Sequence, residues 1–213
     1  MKRGFLVLAL AAFVAGGVFA DSLFSVGGGF SFSGGRIARI HYDSDNWIGE
    51  RALGFGGHVF FDARFVEASI GIMGGPLSWV DVYDGDRDSE RWGTLTSMEL
   101  SLLGKFPIDL GAVTFFPMLG IGGNIALSVR DDDGNSWDDM SDDSVGEWYS
   151  TFRIKFGVGA DFDITERVFF RAQGLGWYGF APSGIRDAVD YMPGLDARGG
   201  LGGSVRLSVG FRF

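Results

Sequence analysis

Ten polar or charged side chains interrupt apolar stretches of this chain, each flanked on both sides by an apolar or small residue: Glu67, Glu99, Lys105, Arg153, Lys155, Asp161, Arg171, Gln173, Arg206 and Arg212. On an extended backbone successive side chains project to opposite faces, so the flanking residues form one surface and these ten the other. If that second surface is enclosed, opposite charges must meet and satisfy one another; if it is wet, its basic excess favours a narrow pore for anions. Extrapolating the alternation puts Glu99, Lys155 and Arg206 at one height. An ion-paired cluster of Glu67, Glu99, Lys155, Arg171 and Arg206 that closes the interior is the expectation.

Other residue types capable of chemistry are sparse. The two histidines are His41, in a polar stretch, and His58, which the alternation turns to the interior, where a lone histidine is a hydrogen-bonded structural residue. A run from Asp131, Asp132 and Asp133 through Asn135, Asp138, Asp139, Asp142 and Asp143 to Glu147 carries no basic side chain. Alternating Asp131, Asp133 and Asn135 match part of a calcium loop, but no bidentate glutamate stands at the required spacing. The run, like Asp84, Asp86 and Asp88, therefore reads as solvated loop. Gly27, Gly28 and Gly29 lie within an alternating segment and open no helix, so they form no phosphate loop. The chain has no cysteine, which excludes disulfides and thiolate metal sites. No cofactor is implied.

The elements that must position the charges are strands. Period-two alternation between turn signals predicts eight, at about 23–33, 52–62, 64–73, 93–106, 113–129, 147–162, 167–179 and 199–213. Pro117, lacking a ladder donor, is expected to mark a bulge. Short connections near Asp62–Arg64, Pro107–Ala112 and Asp163–Glu166 alternate with long polar ones at 34–51, 74–92, 130–146 and 180–198. Trp47, Trp79, Trp92, Trp137, Trp148 and Trp177 fall in or beside the long connections. Phe61, Phe65, Phe106, Phe115, Phe162, Phe169 and Phe213 fall beside the short ones or the last residue. Two aromatic girdles, short turns at one end and long loops at the other predict an all-β, eight-stranded, antiparallel up-and-down transmembrane β-barrel.

Residues 1–20 read as a secretory signal peptide: Lys2 and Arg3, an apolar stretch from Gly4 to Val18, and an exit of small residues with cleavage expected after Ala20. Residues 21–213 are expected to form one barrel domain. The formal charge of −9 makes nucleic acid an unlikely partner.

The final strand ends Val209, Gly210, Phe211, Arg212, Phe213, with Val209, Phe211 and Phe213 on its apolar face. With these residues the chain resembles the small eight-stranded outer-membrane barrels, the group of OmpX, OmpW and the OmpA membrane domain. The resemblance implies residence in the bacterial outer membrane among its lipids, and Val209, Phe211 and Phe213 as a signal read by the barrel-assembly machinery. It implies a non-enzymatic structural or surface-interaction protein whose four long loops meet an extracellular ligand. A narrow pore for passive transport of small or apolar solutes is the alternative. A lipid-modifying enzyme comes third, because neither histidine has the serine two residues on that marks the lipid A deacylases of this architecture.

Overall fold

Side chains that alternate between apolar and polar close into a cylinder with its apolar side outward. The computed structural model describes residues 24–41, 46–83, 86–131, 144–191 and 196–213; the predicted signal peptide lies outside them. Strands β1 (Phe24–His41), β2 (Trp47–Ala63), β3 (Val66–Tyr83), β4 (Asp86–Lys105), β6 (Val113–Asp131), β7 (Thr151–Asp163), β8 (Val168–Gly179) and β9 (Asp196–Arg212) each pair antiparallel with their neighbours. Pairing of β1 with β9 and of β4 with β6 leaves no long strand among the described residues unpaired on either side. The two-residue β5 (Ile108–Asp109) folds back on β6 inside a turn.

The outward face forms a belt of Phe30, Phe55, Val59, Ile72, Leu119, Phe156, Val205 and Leu207, all exposed. Such a contiguous apolar surface would be a severe liability in water and is the ordinary lipid-facing surface of a barrel. Pro117 causes no bulge: its register with β7 is unbroken. Its carbonyl accepts from the Phe106 N–H, so the missing donor faces the break between β4 and β5, where the ladder is interrupted before it resumes in the same register.

The first four strands run well beyond the expected boundaries. The stretches 34–51 and 74–92 are mostly strand, and His41 ends β1 rather than lying in a loop. Conversely, residues 147–149 belong to a short helix, α1 (Ser144–Tyr149), and not to the following strand. A second helix, α2 (Ser183–Asp190), interrupts the connection from β8 to β9. The cause is an inversion of polarity along the barrel. Above the belt the interior is apolar: Ile37, Ala38, Leu77, Trp79, Leu95, Ala126 and Val129 enclose Tyr149 of α1 and Ile185 of α2. A register shift between Arg36 and Ala38 brings Ile37 and Ala38 into this core together.

That inversion also corrects the girdles. Trp79 and Trp177 are buried inside the barrel, as is Phe169, while Trp148 packs against the upper core and Trp92 is exposed. Trp137 lies outside the described residues. Trp177 fits because Gly35 and Gly202 lie beneath it; a Cβ on Gly35 would stand 2.7 Å from its Cζ2.

Candidate functional site in the barrel interior

Strands β2, β3, β4, β7, β8 and β9 each turn a charged side chain inward at the height of the belt. Arg171 of β8 is 1% exposed and is the hub of the lower layer. Its Nε and one terminal nitrogen donate to the two carboxylate oxygens of Asp161 at 2.6 and 2.7 Å. The same terminal nitrogen donates to Asp62 at 2.6 Å, and the other to Glu67 at 2.7 Å. The guanidinium carbon lies 4.5, 5.1 and 5.0 Å from the ring centres of Phe60, Phe116 and Phe169. A planar cation with several fixed donors suits this arrangement of carboxylates and rings, whereas a lysine ammonium would not. Lys105 also pairs with Asp62, and Gln173 Nε2 donates to Glu67 at 2.8 Å.

Glu99 is the hub of the middle layer. One of its oxygens accepts from both Lys155 and Arg206, the latter at 2.8 Å. Ser101 accepts from both cations at 2.6 and 3.2 Å, and Ser69 accepts from Arg206 at 3.0 Å. Arg206 lies 3.9 Å from Glu67, which links the two layers. All five residues of the expected cluster, Glu67, Glu99, Lys155, Arg171 and Arg206, are therefore in one continuous network.

Above it, Arg153 is buried, donates to Thr151 Oγ1 at 3.0 Å and stacks 4.0 Å over Trp177. A cavity of about 30 Å³ lined by Ser33, Ser97, Asn124 and Arg153 separates this level from the apolar core. That volume suits a water or two and no solute. At the top, Trp79 Nε1 donates to the Tyr149 hydroxyl at 3.1 Å. Burial, with Glu50 nearby, pushes the Tyr149 phenol above its usual range, so it stays neutral. Below Arg171 the interior opens into a vestibule of about 410 Å³ at the short-turn end. Arg212, outermost of the charged group, pairs with Asp163 at 2.7 Å.

Sequence reasoning missed Asp62, assigned to a turn, and the ring cage of Phe60, Phe116 and Phe169. Parity held the signal: Phe60 and Asp62 share a strand face with His58, which the alternation turns inward. His58 itself is buried between two hydroxyls, Nδ1 with Ser31 and Nε2 with Ser208, both 2.8 Å. A neutral imidazole donates at one nitrogen and accepts at the other, so this bridge satisfies it across β1, β2 and β9. Neither ring nitrogen bonds a carboxylate that would orient it for base catalysis, and both hydroxyls are buried.

Val209, Phe211 and Phe213 lie on the outer surface, exposed. The Phe211 and Phe213 rings meet edge to face at 5.4 Å, and the Phe213 N–H donates to the Phe24 carbonyl at 3.0 Å. Residues 132–143, most of the acidic run, and Asp84 lie outside the described residues.

No protein-family model matches the chain, and neither does any curated protein. Among solved structures it is similar to Neisserial surface protein A (NspA), with a TM-score of 0.51 at 11% identity over 90% of this chain and 98% of that one. The outer membrane protein OprG from Pseudomonas aeruginosa gives 0.46 at 11%, over 89% and 95%. The outer membrane protease OmpT from Escherichia coli gives 0.44 at 9%, over 93% and 100%. The likeness to NspA shows a shared barrel fold and carries no activity across.

Proposed function

We propose that this chain is an integral outer-membrane barrel that does not conduct and does not catalyse, and that holds its long connections at the cell surface for structural or binding roles. The observation that supports it is the filled interior: two layers of interlocked charge, an arginine stacked on Trp177, and an apolar core capped by two helices. Eight strands enclose a space that side chains can fill, and here they fill it. The short turns then face the periplasm, with α1, α2 and the acidic run outside. A lipid-modifying enzyme is disfavoured by the enclosure of His58, Ser31 and Ser208.

Tags inserted at Asp190, in the exposed end of α2, and at Asp139 are expected to be labelled on intact cells. One at Asp109, in the turn carrying β5, should react only after the outer membrane is permeabilised. Equal labelling at all three would end this orientation, and a changed lipid A mass spectrum in cells expressing the chain would revive the enzyme.

For the assembly role, Phe213→Ser should leave export intact and lower the amount of heat-modifiable folded barrel in the outer membrane several-fold. Loss of one aromatic contact at a strand end costs only about 0.5–1.5 kcal/mol in a folded protein. Refolding in detergent should therefore survive. A variant that assembles normally in cells would remove the signal role; one that fails equally in detergent would make the residue structural instead.

A further inference from the structure

Above the belt, where the interior turns apolar, the outer surface of β1, β2 and β9 becomes strongly basic. Arg36 of β1 stands directly opposite Arg51 of β2, and Arg39 of β1 directly opposite Arg198 of β9. Like charges opposed across a sheet repel at close range and destabilise it. Arg39 lies near enough to Arg36, Arg51 and Arg198 to feel all three charges. Asp196 pairs with Arg198 at 2.8 Å, but Arg36, Arg39 and Arg51 form no ion pair with any described residue. The Nε atoms of Arg36 and Arg39 are shielded from water and have no hydrogen-bond partner among the described residues.

The cluster is also built on a platform. The Trp47 ring lies against Gly49, where an added Cβ would stand 2.6 Å from it. Arg39 stacks on that ring at 3.8 Å and Arg36 lies 5.9 Å from its centre. Beneath the guanidinium groups a groove of about 550 Å³ descends between Arg36 and Arg51 to Leu53, Pro76 and Leu201, with Trp92 and Glu90 on its far wall. Leu53 and Leu201 are exposed and continue the apolar belt.

Charge above and hydrocarbon below describe an amphiphile. We infer that Arg36, Arg39 and Arg51 hold the phosphate group of an outer-leaflet lipid, whose acyl chains descend along Leu53 and Leu201. Guanidinium groups pair with phosphate oxygens through fixed parallel donors, and a phosphate among them would relieve the repulsion. The chain's net charge of −9 opposes long-range attraction of a soluble anion. Capture therefore depends on short range and on the apolar anchor. The inference rests on the membrane orientation proposed above.

The test uses the chain from Asp21 onward, inserted into phosphatidylcholine vesicles containing a minor fraction of phosphatidic acid. Lipid retained after transfer to neutral detergent is counted by native mass spectrometry. Phosphatidic acid should be retained in preference to phosphatidylcholine, and the double variant Arg36→Gln, Arg51→Gln should lower that retention roughly tenfold, since each basic residue near an anionic surface contributes appreciably. Arg167→Gln, in an exposed turn at the opposite end, should change nothing. Millimolar inorganic phosphate should not displace the lipid. Displacement would reassign the cluster to soluble phosphate and overturn the lipid assignment, as would equal retention by wild type and the double variant. Protease protection measures insertion separately: a chain that fails to insert would overturn the membrane reading, whereas one that inserts and retains both lipids equally would overturn this inference alone.

Discussion

Arg171→Met is expected to yield little or no folded barrel. Removing the guanidinium leaves Asp62, Glu67 and Asp161 enclosed by Phe60, Phe116 and Phe169. Lys105 remains for Asp62, but the nearest other cations stand 3.9 Å from Glu67 and from Asp161. Breaking one side of a buried ion pair costs about 3–5 kcal/mol, and this residue serves three partners, so much of a typical stability of about 5–15 kcal/mol is at stake. Arg171→Lys should be nearly as damaging, because one ammonium cannot span three carboxylates in different directions. The informative companion is Arg171→Met combined with Glu67→Gln and Asp161→Asn, which removes the stranded charges together. Urea unfolding in detergent, read by the gel shift between folded and unfolded forms, should show the triple variant markedly more stable than Arg171→Met. If Arg171→Met alone unfolds at the wild-type urea concentration, the lower layer is hydrated and not enclosed.

Glu99→Gln carries the second large effect. The substitution keeps the size of the side chain and removes the carboxylate shared by Lys155 and Arg206, with Arg153 one level above. Three buried cations then face only Glu67, across 3.9 Å from Arg206. In a dry interior the expected loss is about 3–5 kcal/mol; in a wet one, where water screens the charges, much less. The urea midpoint should fall clearly, and repulsion between Lys155 and Arg206 should make brief openings of the barrel more frequent. An unchanged midpoint would favour a hydrated passage.

Both effects concern the belt, which is also where the sequence was most legible. There lipid outside and charge inside impose opposite demands on alternate residues, so Phe152, Ile154, Phe156 and Val158 against Arg153, Lys155, Gly157 and Gly159 leave little choice of register. Membership of Glu99, Lys155 and Arg206 in one layer followed from counting along three such strands. Above the belt the demands reverse. Leu77 and Trp79 turn inward and Arg36 and Arg51 outward, so the same alternation appears with its polarity exchanged, and the shift at Arg36/Ala38 breaks its phase. Those segments therefore read as polar loops, and their tryptophans as interfacial. Helix α1 was hidden for another reason: its packing face, Tyr149 against Trp79, exists only once the barrel has closed. Asp62 was lost at a strand end, where composition suggested a turn although parity did not.

A closed interior, from the vestibule below Arg171 to the core beneath α1 and α2, should pass no ions. Current across a planar bilayer containing the refolded wild-type chain tests it most directly. The predicted result is no steady conductance, with brief openings at most, rising in frequency in Glu99→Gln. A stable open channel in the wild type, selective for anions and indifferent to Glu99→Gln, would contradict the closed interior and establish passive transport in its place.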